Sequence, residues 1–224
     1  VELFIRGHGK ISAIARSAKT SKRRFPGGLE PFSKMKVRLK VQANRPLATL
    51  EESDIRIGNI GIRDSFDKIT VASYATELIS ILVQANEAAD EIFVVFELFM
   101  SRLADQEDDT LPKLLLDFET ALTRFSGFSP SLDACFKCEK DAQQFTKYRI
   151  SRRGEGLICR ACTEGEHYGI ADKSTMSVFW TAYQDALIEY ADLAQARRII
   201  WASLGPVVDR DMKTRAQVEK LWSR

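Results

Sequence analysis

All four cysteines of this 224-residue chain fall into two pairs of identical spacing, Cys135 with Cys138 and Cys159 with Cys162, and twenty residues separate the pairs. A gap of two residues lets one tight turn present both thiolates to a single ion. Two such turns facing each other make a closed tetrahedral shell of sulfurs, which suits one Zn²⁺. The alternative, a pair of disulfides or four unrelated buried thiols, would leave the matched pairing of every cysteine to accident. Redox exchange would need only one pair, and neither pair lies in a visible strand–helix context. A shell filled by four protein ligands has no open position for water or substrate, so the cluster reads as a structural staple and not as a catalytic centre.

The length admits one large domain or two smaller ones. A hydrophobic content of 45% and a charged content of 29% are ordinary for a globular protein. No apolar run reaches bilayer length; the densest, 92–100, is interrupted by Glu97. No signal-peptide pattern is visible, and with the zinc reading the expected location is the reducing cytoplasm, in association with the nucleoid. The formal net charge of +2 hides an asymmetry. Residues 1–48 carry net +10, residues 49–120 net −11, and residues 121–224 net +3. A basic block beside an acidic block points to different partners for different parts of the chain.

Periodicity organises the chain into strands followed by helices. Residues 1–6 and 10–16 read as strands joined by the turn Gly7-His8-Gly9. Residues 17–33 form a long basic loop broken at Pro26-Gly27-Gly28. Residues 34–41 give the clearest strand: Met35, Val37, Leu39 and Val41 alternate with Lys34, Lys36, Arg38 and Lys40. Its polar face is either a solvated outer face or a polyanion-binding one. A shorter strand at 47–57 ends at Gly58 and Gly61. Asp64 or Ser65 then caps a helix running to Asn86. A second helix is expected at 89–103, its all-round apolar centre placing it in the core, and a third at 111–125, ended by Gly127. The cysteine module at 128–165 contains a hairpin formed by 145–150 and 154–158. Its insert interleaves Lys140, Lys147, Arg149, Arg152 and Arg153 with Phe145 and Tyr148, a pattern that serves either nucleic-acid binding or plain solvation. Further helices are expected at 174–190, capped by Ser174, at 193–204, ended or kinked by Gly205-Pro206, and at 212–221.

Most catalytic patterns are missing. There is no phosphate-cradling G-x-x-x-x-G-K-[ST], no G-x-G-x-x-G and no H-E-x-x-H. His8 sits in a glycine turn. His167 lies five residues after Cys162, where the sulfur shell is already full. The expectation is a protein without covalent catalysis.

Several stretches resemble the bacterial recombination mediator family RecO. Leu3-Phe4-Ile5-Arg6-Gly7-His8-Gly9-Lys10 is similar to its early strand and turn, and Leu29-Glu30-Pro31-Phe32-Ser33 to a later run. Gly127-Phe128-Ser129-Pro130-Ser131-Leu132-Asp133-Ala134-Cys135 resembles the family's approach to its zinc site. Gly154-Glu155-Gly156-Leu157-Ile158-Cys159 resembles its glycine-pair entry to the second cysteine pair, with Glu155 inserted. The resemblance implies an α+β protein: an N-terminal OB-fold β-barrel at 1–62, then a mostly helical domain at 63–224 holding the zinc module at 128–165. Its implied activities are binding single- and double-stranded DNA and annealing complementary strands. It also implies partnership with RecR and with the acidic tail of single-stranded-DNA-binding protein, to help load RecA. Some relatives lack the zinc cysteines, so the metal is not the shared activity. An OB barrel has five strands, whereas this chain starts in mid-strand at Val1, and its true first strand is expected to be missing.

On this reading the DNA-binding residues are Arg6, Lys10, Arg16, Lys19, Lys22, Arg23, Arg24, Lys34, Lys36, Arg38 and Lys40. Cations spread over a strand and a loop suit phosphate contacts better than base readout. The competing reading is a zinc-ribbon RNA-binding protein acting on ribosome or tRNA, and a pure interaction scaffold is a third.

Overall fold

The alternation in residues 34–40 is realised as a strand with every cation exposed and every apolar residue half-buried. In the computed structural model, which describes residues 1–42, 44–180, 192–208 and 212–223, this strand is β3 (Lys34–Lys40). It joins β1 (Glu2–Ile5), β2 (Gly9–Ile14) and β4 (Ala48–Ile57) in a four-stranded sheet of order β1-β2-β4-β3. β1 pairs antiparallel with β2, β3 antiparallel with β4, and β2 runs parallel to β4 over Ala13–Ala48 and Ile14–Thr49. Among the described residues β1 and β3 are the edges of this sheet, an open arrangement of the strands for which the resemblance implies a barrel.

The inner residues of these strands share a small core of Ala13, Ala48 and Leu50 with Leu3, Ile11, Val37 and Leu39. Phe25, from the basic loop, is driven into the same core and is 2% exposed. Burying one phenylalanine is worth about 2–3 kcal/mol, enough to hold a polar loop against the sheet. The backbone follows, with Ser53 N donating to Arg24 O at 3.0 Å.

Chain contacts divide the molecule into two compact units. One comprises Val1–Leu111 with Thr214–Val218, and the other Pro112–Lys213 with Glu219–Arg224. In the first, α1 (Phe66–Leu82) begins at Ser65, whose hydroxyl accepts from the backbone N–H groups of Asp67 and Lys68. The face carrying Val71, Tyr74, Ala75 and Leu78 is fully buried. α2 (Asp90–Asp105) departs from expectation, because its apolar centre is not the core of the unit. Phe93, Val94, Val95 and Phe96 are half-buried and Leu98 is exposed. Only Ile92, Phe99, Met100 and Leu103 are buried, at helical spacing, while Phe93 turns outward to meet Phe4 of β1 at 5.3 Å between ring centroids.

The second unit holds most of α3 (Leu111–Phe125), the cysteine module, α4 (Lys173–Trp180) and α5 (Leu193–Val208). The expected hairpin is present as β5 (Tyr148–Ser151) and β6 (Leu157–Ile158), and β7 (Tyr168–Ala171) adds a third strand in the order β6-β5-β7. One face of this sheet packs Ile150, Leu157 and Ala171 against Met176 and Ile199. Asp172, and not Ser174, caps α4: its carboxylate accepts from Thr175 N at 2.8 Å and from the Ser174 hydroxyl at 2.7 Å. The remainder of the helix expected at 174–190 lies in 181–191, outside the described residues. α5 runs through Gly205-Pro206 to Val208 without ending at Leu204. α6 (Arg215–Glu219) and a 3₁₀ turn (Lys220–Ser223) occupy most of the helix expected at 212–221. No described helix is long and apolar enough to cross a membrane.

Candidate metal centre and nucleic-acid interface

The two C-x-x-C turns converge. Their sulfurs all lie within 4.8 Å of one another, and all four thiols are free, so no disulfide forms among them. Cys138 Sγ and Cys159 Sγ are 3.7 Å apart. Four sulfurs bound at the usual zinc distance stand about 3.8 Å from each other, so the spacing fits one tetrahedral ion. Each turn is fixed by its own backbone. Cys135 N donates to Lys140 O at 2.8 Å and Glu139 N to Cys135 O at 2.9 Å, while Cys162 N donates to Cys159 O at 3.0 Å. Cys135 and Cys159 are buried with Ile158, under Phe136 and Phe145, and Cys138 is exposed.

Two glycines bring the surrounding chain close enough. At Gly156, with φ of 126°, an added Cβ would lie 2.1 Å from Ser131 O. This contact allows Leu157 N to reach Ser131 O at 2.7 Å and Ser131 N to reach Glu155 O at 3.0 Å. At Gly154, with φ of 82°, a Cβ would lie 2.3 Å from Ala202 O.

The electrostatics of the four thiols are uneven. Burial pushes the Cys135 thiol up, but the backbone N–H groups of Cys159, Lys137 and Cys138 outweigh it and bring it down to about 6. Hydrogen bonds shared with Cys159 and Cys138 push Cys162 up to about 12. The first thiolate is therefore easy to form and the last is hard, because negative charges would crowd one point. A divalent cation at that point removes the penalty. The quartet can hold one metal ion. His167 is exposed and is not part of the cluster.

The cations picked from the sequence occupy three different settings. Lys10 is half-buried, with its ammonium on Ser80 O of α1. Arg6 lies over the Phe93 ring, 5.9 Å from its centroid. On β3 the cations have acidic neighbours. Lys34 pairs with Glu97, Arg38 with Glu52 at 3.3 Å, and Lys36 stands opposite Asp54 in register. Lys40, at the end of the strand, stands opposite Thr49. The third setting is the loop. Arg24 is tied inward to Ser21 and to Arg16 O. Arg16, Lys19, Lys22 and Arg23 are exposed, and none of them forms an ion pair among the described residues. Alongside runs a groove of about 1360 Å³ whose lining includes Ser12, Ile14, Lys19, Lys22 and Leu47. Sequence reasoning picked these loop cations but missed both the acidic row that β4 lays beside β3 and the outward-facing aromatic on β7.

A second cavity, of about 1140 Å³, opens in the other unit. Its wall sets Asp117, Asp133 and Asp141 beside Arg124 and Lys173, so it has no single sign of charge.

Comparison with known proteins connects the two halves. Residues 1–57 match the family model described as recombination protein O N terminal, and residues 63–215 the one described as recombination protein O C terminal. The chain is 33% identical over 162 residues to a DNA repair protein RecO of Myxococcus xanthus, covering 72% of this chain and 64% of that one. It is 31% identical over 165 residues to a DNA repair protein RecO of Anaeromyxobacter sp., covering 74% and 64%. Against a DNA repair protein RecO of Pelobacter propionicus the identity is 29% over 198 residues, covering 88% and 78%. The chain thus spans just under two thirds of the length of the first two relatives. The C-terminal match alone covers more than half of the chain and takes in the whole cysteine module, so the chain belongs to the RecO family.

Proposed function

We propose that the chain is a DNA repair and recombination mediator that acts without covalent catalysis. It binds single- and double-stranded DNA and anneals complementary strands. With RecR it helps to load RecA onto DNA coated with single-stranded-DNA-binding protein. In this reading residues 1–62 are an OB-fold DNA-binding domain, and residues 63–224 a helical domain with its metal module at 128–165. The names of the relatives support the repair role. The observation that carries the DNA contact is the loop 16–23. It presents four exposed cations that form no ion pair among the described residues, on a backbone anchored by buried Phe25. Complementary strands repel through their phosphates, and a surface that neutralises both lowers that barrier without reading sequence. Lys40 and Arg6, at other points of the sheet, are further candidate contacts, while Lys34, Lys36 and Arg38 contribute after sharing their charge with acidic neighbours.

We assign one structural Zn²⁺ to Cys135, Cys138, Cys159 and Cys162. The ion cross-links the two turns and takes no part in chemistry.

The deciding experiment is strand annealing on DNA coated with single-stranded-DNA-binding protein, comparing the natural chain with one carrying Arg16→Glu, Lys19→Glu, Lys22→Glu and Arg23→Glu. Annealing should be lost in the variant. The slope of log affinity against log salt should flatten by about one for each phosphate contact removed. Annealing at the natural rate by the variant would reject the loop as the DNA contact, and matched RNA bound more tightly than DNA would favour a ribosome- or tRNA-directed protein.

A further inference from the structure

The outer face of the β6-β5-β7 sheet is unevenly covered. Directly paired residues of an antiparallel sheet share a face. Arg149 of β5 is opposite both Ile158 of β6 and Ile170 of β7, and Ser151 is opposite Tyr168. At the β6 end this face is roofed by the cysteine turns, where Ile158 is fully buried against Cys135 and Cys159. At the β7 end it is bare: Tyr168 is 36% exposed and Ile170 is 56% exposed. The guanidinium of Arg149 stands over the Tyr168 ring, 6.0 Å from its centroid. Cations flank the bare end. Lys147 precedes β5, and exposed Arg152 and Arg153 follow it, with Arg152 N held by His167 O at 2.9 Å. Two of the nearby acidic groups are engaged away from this face, and the third, Glu155, is held at its edge by Ser151, the partner of Tyr168. Glu166 is tied to Lys137 at 2.7 Å, Glu155 accepts from the Ser151 hydroxyl at 2.7 Å, and Asp172 caps α4.

Tyr168 and Ile170 give this outer face an apolar surface ringed by cations. An exposed ring backed by an arginine and flanked by cations is the arrangement on which unpaired bases stack while their phosphates are neutralised. We propose that the β7 side of the metal module is a second DNA-binding face, specific for single strands, with Tyr168 as the base-stacking platform and Arg149, Arg152, Arg153 and Lys147 as its phosphate contacts. The proposal rests on the reading that the chain handles DNA, but not on the loop 16–23. It gives each compact unit a DNA-binding face of its own. The two faces differ in kind: the loop offers charge alone and accepts duplex or single strand, whereas a stacking ring needs bases that are not already stacked.

The test uses the full chain and a labelled oligothymidylate, a matched duplex and a matched oligouridylate, together with photocrosslinking by an oligonucleotide carrying 5-iodouracil. Tyr168→Ala should weaken oligothymidylate binding about tenfold, within the range for losing one stacked base, and leave duplex binding unchanged. Tyr168→Phe should bind as the natural chain does, and Arg149→Ala should resemble Tyr168→Ala. The crosslink should map to Tyr168 and persist in the four-residue loop variant. Unchanged single-strand affinity in Tyr168→Ala, with the crosslink elsewhere, would overturn this face and leave the loop reading standing. If instead the loop variant binds like the natural chain while Tyr168→Ala does not, this face stands and the loop reading falls. Tighter binding of oligouridylate that Tyr168→Ala abolishes would overturn the assignment to DNA.

Discussion

At the scale of single residues, the least legible feature is Glu119. It sits in the most acidic third of the chain, where carboxylates read as solvated helix faces. The structure buries it completely, and its donors include Arg197 Nε at 3.0 Å, Arg197 Nη2 at 3.0 Å and Trp201 Nε1 at 3.1 Å. Arg197 itself is 4% exposed and contacts the rings of Trp201 and Trp222, 5.6 and 5.0 Å from their centroids. One signal was available: Leu115, Glu119 and Leu122 fall on one helical stripe, so Glu119 occupies an apolar position. Removing Glu119 leaves the buried Arg197 guanidinium with the weaker compensation of the partly exposed Glu219 carboxylate at 3.1 Å. Glu119→Ala should therefore lower unfolding stability by about 3–5 kcal/mol, whereas Glu119→Leu combined with Arg197→Met should recover most of it; chemical denaturation of the three proteins checks this. The glycine pair was legible as a family motif, but its reason was not. Gly156 stands where a side chain would strike the Ser131 carbonyl, a contact between residues twenty-five apart that no local pattern announces. Gly156→Ala should loosen the cysteine module, read as faster loss of metal to a chelator at unchanged pH.

At the scale of elements, alternation and caps fixed nearly every strand and helix, because those signals are local. Failures came where a neighbour decided. The period-two pattern of β3 was plain, but the sign of its surface was not, since β4 supplies Glu52 and Asp54 from across the pairing. This alters what a charge reversal on β3 would report. Lys36→Glu and Arg38→Glu would set carboxylates directly opposite carboxylates, costing roughly 0.2–1 kcal/mol per pair. A thermal melt should show that double variant destabilised, while the loop variant melts like the natural chain. Of the two outcomes expected at Gly205-Pro206, an end or a kink, the end is not found. Pro206 lacks an N–H for Ala202 O, yet α5 continues to Val208, and Gly154 packs against that same carbonyl. At the start of α4 the cap has a pH signature. The Thr175 N–H, followed by the Ser174 hydroxyl, holds the Asp172 carboxyl below the usual carboxylate range. The stabilisation from this group is complete above the ordinary carboxylate pKa and is lost as pH falls through the lowered value. Asp172→Asn should flatten that part of the acid-unfolding curve, and at neutral pH it should cost up to about 1 kcal/mol.

For the whole molecule, the charge blocks that stood out along the chain largely cancel in space. The first unit combines the basic strands with the acidic helices and carries net +1, as does the second. Neither unit is a strong polycation, so the proposed attraction to DNA has to be local and short-ranged, and it should vanish within the salt range that screens a few contacts. Dividing the contacts at Leu111 also bears on the metal. The core around the quartet is small: Cys135, Ile158 and Cys159 with Phe136, Phe145 and Cys162 beside them. So little apolar surface is a weak hold on the two turns, although the hairpin also packs Ile150 and Leu157 on Met176 and Ile199, and the proposed ion would supply the rest for the turns. The N-terminal strands have their own core in Phe25, Leu50, Ala13 and Ala48, which shares no residue with the module. Chelation, or Cys135→Ser, should therefore speed amide hydrogen exchange across β5 and β6 while β2 and β3 keep their protection. Duplex binding through the loop should survive, and single-strand binding through Tyr168 should weaken as its sheet loosens. Metal analysis of the purified chain should give close to one zinc per molecule. A chain that holds no metal, or whose β5 and β6 amides stay protected after chelation, would show that the quartet is not a staple.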